Sequence, residues 1–64
     1  MNLAEIKDAV NQGKTVCWSN DSYHVIKDNI DQWLIIHLPN DSAIGLTWKD
    51  EKTMNGDEKD FYIK

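Results

Sequence analysis

Gln32-Trp33-Leu34-Ile35-Ile36-His37-Leu38 is the only run of the 64-residue chain that is apolar on both faces of an extended strand. Its length, its aromatic and β-branched content, and the Pro39-Asn40-Asp41 turn signal directly after it favour a strand over a turn of buried helix. Side chains of a strand alternate between two faces. Leu34, Ile36 and Leu38 therefore share one face, and Trp33, Ile35 and His37 share the other. One face must meet a core, and the other needs a cover or a partner.

Upstream, Asn2 followed by Glu5 has the spacing of a capping box, and Leu3, Ile6 and Val10 recur along one helical face before Gly13. This predicts an amphipathic helix over residues 3–12. A helix so short does not persist alone in water, so its apolar stripe must dock on a sheet. From Lys14 the period changes to two: Val16 and Trp18 alternate with Thr15, Cys17 and Ser19, and Tyr23 and Val25 alternate with His24 and Ile26. The pattern predicts strands over residues 14–19, 22–28, 32–38 and 42–48.

The turns between these strands set an expected register. A two-residue turn at Asn20-Asp21 places Cys17 opposite His24, Trp18 opposite Tyr23 and Val16 opposite Val25. A turn at Asn29-Ile30 sets Val25 against Leu34 and Tyr23 against Ile36, although it also opposes Asp28 and Asp31, which points to a longer loop. A three-residue loop at Pro39-Asn40-Asp41 sets Ile36 against Ile44 and Leu34 against Leu46. The predicted core face is then Val16, Trp18, Tyr23, Val25, Leu34, Ile36, Leu38, Ile44 and Leu46, with Trp48 at its margin. A slip of one residue in any hairpin would turn a strand's apolar set outward.

After the polar run Lys49-Asp50-Glu51-Lys52 and an Asn55-Gly56 turn signal, Phe61-Tyr62-Ile63 predicts a short fifth strand over residues 60–63. The pattern leaves open whether it lies beside the fourth strand or folds round to the first, closing a small barrel. The expected architecture is α+β: one N-terminal helix packed on an antiparallel meander of four to five strands, in a single domain over residues 1–64.

In this register the second face carries Cys17, His24, Ile26, Trp33, Ile35 and His37, an apolar patch left to water if the helix covers the first. Such patches mark partner sites. Ile26, Trp33, Ile35 and His37 are the candidate anchor and rim of an interaction surface, with His24 and Cys17 beside them. The expected partner is a second copy, giving a homodimer, or another protein; cover by the C-terminal tail is the alternative. A chain of this size buries only about 60% of its unfolded surface, so self-association would add burial.

Cys17, His24 and His37 share a face, yet the chain lacks CxxC or HxxxH spacing, a clear fourth ligand, and a group placed to orient an imidazole. A lone cysteine is usually a small buried hydrophobe. The expectation is therefore no metal, no cofactor and no catalytic residue. Gly13-Lys14-Thr15 lacks the first glycine of a phosphate loop, and Asp28-Asn29-Ile30-Asp31 lacks the alternating acids of a calcium loop.

The net charge is −4, and all seven basic residues are lysine. Without arginine there is no guanidinium fork for phosphate clamps or guanine readout. Nucleic-acid binding on a platform of Trp18, Trp33 and Trp48 therefore ranks below protein binding. The carboxylates of Asp50, Glu51, Asp57, Glu58 and Asp60 offer another reading, an acidic mimic of nucleic acid, partly neutralised by Lys49, Lys52 and Lys59. A single cysteine excludes an internal disulfide. No apolar run reaches signal-peptide or membrane-span length, so a cytoplasmic location without membrane contact is expected.

Gly13-Lys14-x-Val16-x-Trp18-x-Asn20, Tyr23-x-Val25, Ile44-Gly45-Leu46-Thr47-Trp48 and Asn55-Gly56 ahead of Asp60-Phe61-Tyr62-Ile63 span most of the chain. In these the chain resembles small proteins of bacterial mobile elements, of the plasmid, phage and integron-cassette type. The resemblance implies an accessory protein that acts by binding, and it brings no catalytic or ligand residues with it.

Overall fold

A computed structural model describes residues 1–50 and 52–64. Helix α1 (Leu3–Asn11) begins at the predicted box: Asn2 Oδ1 accepts the Glu5 amide at 2.8 Å, and the Glu5 carboxylate accepts the Asn2 amide at 2.9 Å. It ends at Gln12, with Gly13 in the left-handed region at φ +83°. Ile6 and Ala9 are its buried residues.

Strands β1 (Val16–Trp18), β2 (Asn20–Lys27), β3 (Trp33–His37), β4 (Ser42–Gly45) and β5 (Phe61–Ile63) form one antiparallel sheet in the order β4-β3-β2-β1-β5. β5 returns to β1, pairing Val16 with Ile63, Cys17 with Tyr62 and Trp18 with Phe61. β4 and β5 are opposite edges, so the sheet stays open and no barrel closes. The fold is α+β, one helix packed on a five-stranded antiparallel sheet.

The register departs from expectation at all three turns. In the first hairpin Cys17 does face His24, but a bulge follows and Trp18 bridges to Asn20 instead of Tyr23, with Ser19 at φ 66°. The two rings still meet edge to face, centroids 5.0 Å apart. In the second hairpin the loop covers residues 28–32. Asp28 Oδ1 accepts the amides of both Ile30 and Gln32, and Asp31 takes φ 63°. This longer loop slides β3 by one residue, setting Val25 against Ile35 and Tyr23 against His37. In the third, His37 faces Ser42 and Ile35 faces Ile44, because the turn holds residues 38–41 with Asp41 at φ 56°.

The last two slips are opposite in sense, so only the strand between them is turned over. Trp33, Ile35 and His37 lie on the helix-covered face, and Leu34, Ile36 and Leu38 lie on the open one. The core is Ile6, Ala9, Val16, Val25, Ile35, Leu46 and Phe61, with Leu3, Val10, Trp18, Tyr23, Trp33 and Met54 packed around it. Leu34, Ile36 and Leu38 thus leave the predicted core, and Trp48 is 63% exposed. Ile44 points to the core side but stays 47% exposed at the sheet edge.

Beyond β4 the chain doubles back over the core side. Leu46 donates its amide to the Trp33 carbonyl at 2.9 Å, while its own carbonyl accepts the Asn55 amide. The returning segment brings Gly56 against the Trp18 indole. The Met1 ammonium closes the layer by donating to the Glu58 carbonyl at 2.7 Å.

Candidate interaction surfaces

The open face of the sheet carries Ile26 from β2, Leu34 and Ile36 from β3, and Leu38 just beyond it. Cys17, His24 and Tyr62 continue this face across β1 and its two neighbours. α1 packs its buried residues against the other side. Leu38 is 45% exposed, and Ile26, Leu34 and Ile36 are half-buried by their neighbours in the sheet.

The six residues predicted to share an interaction surface are therefore divided between two faces. Cys17, His24 and Ile26 do lie on the open face. Ile35 instead fills the core at 1% exposure. Trp33 is half-buried beneath the ammonium groups of Lys7 and Lys27, each 5.6 Å from its ring centroid. His37 stacks on Tyr23 with centroids 4.5 Å apart, its Nδ1 3.0 Å from Asn40 Oδ1. The places of these three on the open face pass to Leu34, Ile36 and Leu38.

Cys17 is wholly buried, with His24 and Tyr62 in register on its two sides. The His24 Nε2 is buried and makes no hydrogen bond. Among the described residues no three His, Cys, Asp or Glu side chains gather as metal ligands. The Tyr62 hydroxyl donates to Asp21, and that bond to a carboxylate, with smaller contributions from burial and from Cys17, pushes its pKa up to about 12. Nothing in the chain's pattern placed Tyr62 beside Cys17, because the position of the last strand was not readable.

Among the described residues, two grooves stand out on the remaining surface. One, of about 500 Å³, lies on the helix side of β3 and β4, with Trp18, Tyr23, Ile35, His37 and Ile44 among its walls. The other, of about 510 Å³, lies at the end of the sheet where Lys7, Trp33, Leu34, Thr47, Trp48 and Lys49 converge. The three tryptophans do not make one platform: Trp18 packs on the core, Trp33 lies under two lysines, and Trp48 projects outward.

The Asp50 carboxylate closes its own turn, accepting the amides of Lys52 and Thr53 at 2.9 Å each and the Thr53 hydroxyl at 2.7 Å. Those donors hold it below the usual carboxylate value. Asp57 and Glu58 are exposed, Asp60 is half-buried, and Glu51 lies outside the described residues. No described helix is long and apolar enough to cross a membrane. No protein-family model, curated protein or solved structure matches this chain.

Proposed function

We propose that this protein is a non-enzymatic interaction module that pairs with a second copy of itself through the open face of its sheet. The stripe of Leu34, Ile36 and Leu38, continued by Ile26, is the observation that carries this reading. Two antiparallel sheets pack face to face about 10 Å apart by interdigitating such stripes. A standard interface takes about 800 Å² from each partner, roughly a fifth of the chain's 4329 Å² surface. The aliphatic stripe would supply the dry centre, and His24 and Tyr62 the polar rim. An accessory binding role of this kind agrees with the resemblance to mobile-element proteins.

The test is solution mass by light scattering over a concentration series, for the parent chain and for Ile36→Lys. The parent is expected to approach twice its 7.4 kDa mass, while a folded Ile36→Lys remains single. A parent that stays at 7.4 kDa throughout, or a variant that associates as the parent does, ends the proposal.

A further inference from the structure

The chain carries −4 overall, yet the described lining of the groove between Trp33 and Trp48 holds two lysines, Lys7 and Lys49, and one acidic residue, Asp31. That carboxylate already lies 3.4 Å from the Lys27 ammonium. Asp50, next to Lys49 in sequence, has turned its own carboxylate into the Thr53 turn.

The two indoles are in different states. Trp33 is engaged by two ammonium groups, each 5.6 Å from its centroid. Trp48 is 63% exposed, and no aromatic ring or ammonium among the described residues packs on it. Trp48 thus offers a free stacking face beside two lysines at the edge of an open groove of about 510 Å³. Gly45 adds no side chain to its floor, and Thr47 adds a hydroxyl.

From this arrangement we infer that the groove binds a nucleotide, with its base stacked on Trp48 and its phosphate held by Lys7 and Lys49. Stacking on an aromatic face tolerates any base, and lysine attracts phosphate as a point charge without needing a fork. The same chemistry could arrive as a free mononucleotide or as single-stranded nucleic acid.

Calorimetric titration of the intact chain with adenosine monophosphate, and separately with a short adenine oligodeoxynucleotide, tests the site and separates the two sources. Saturation by the mononucleotide assigns the free ligand, and saturation by the oligonucleotide alone assigns the strand. In either case Trp48→Ala is expected to weaken binding about tenfold with an unchanged circular dichroism spectrum. A Lys7→Gln/Lys49→Gln variant should lose the salt dependence of binding. Absence of saturable binding by both probes, or a Trp48→Ala chain that binds as tightly as the parent, overturns the inference.

Discussion

Gly56→Ala isolates a single close approach on which the returning C-terminal segment depends. A Cβ at position 56 would stand 2.5 Å from Trp18 Nε1, 3.1 Å from Cε2 and 3.4 Å from Cδ1. Unstrained heavy-atom contacts sit near 3.5 Å or beyond, so the indole and this segment must part by about 1 Å. The indole has little room to yield, because Tyr23 meets it edge to face at 5.0 Å and Phe61 lies tilted at 6.4 Å. Forcing an extra carbon into such packing costs about 1–3 kcal/mol. The backbone at Gly56 lies outside the left-handed region, so alanine recovers about 0.4–1 kcal/mol from the unfolded chain. The midpoints of the two ranges leave a net loss of about 1 kcal/mol, and the upper end about 2.6 kcal/mol, a large share of the few kcal/mol available to so small a fold. Urea titration followed by circular dichroism measures it. The same change in a Trp18→Phe background, which removes the clashing nitrogen, should be nearly neutral. An equal cost in both backgrounds, or no cost in the first, would refute the contact as the cause.

Ile35→Ala, at a site 1% exposed in the core, is expected to cost about 2–5 kcal/mol, and Leu34→Ala on the open face about 1 kcal/mol; the reverse order in denaturant titrations would contradict the register. Tyr62 ionises at about 10 ordinarily and at about 12 in the folded chain. The native state therefore keeps its proton between those values, and the stability from the Asp21 bond is whole below pH 10 and falls as pH rises from there toward 12. Asp21→Asn should return the tyrosinate absorbance midpoint toward 10. Asn2→Ala removes the acceptor of the Glu5 amide and should cost about 1 kcal/mol by thermal or urea melting, whereas Asn2→Asp should retain most of it.

What could be read beforehand depended on how many residues each signal needed. The helix was legible because Asn2, Glu5 and Gly13 are individually diagnostic of its two ends. The pairing of Cys17 with His24 was legible from the short first turn. β3 was not, for the same reason that it stood out: a strand apolar on both sides fits either register equally well. The outcome was decided outside it, by Asp28 gathering two amides into a longer loop. Because the slip at the next turn ran the other way, Ile44 and Leu46 still reached the core side while Trp33 and Leu34 exchanged faces. The candidate surface moved with them, and Tyr62 could join it only once β5 had been placed beside β1.

The placement of β5 also sets an order of assembly. β1 to β4 pair with strands adjacent in sequence, across short turns, and such local contacts form early. The ladder between Val16 and Ile63 instead closes about three quarters of the chain into one loop, and it forms only after that entropy has been spent. Until then Phe61 is missing from the core, and the backbone of Val16, Cys17 and Trp18 forms an unpaired edge. An open edge accepts any compatible strand. During synthesis the edge stays open until residues 61–63 have been made, and in a crowded solution the same segment of a neighbouring chain can take the place first. Exchange of β5 between copies is thus the characteristic misassembly open to this topology, and slower dilution from denaturant at low protein concentration is the condition that disfavours it.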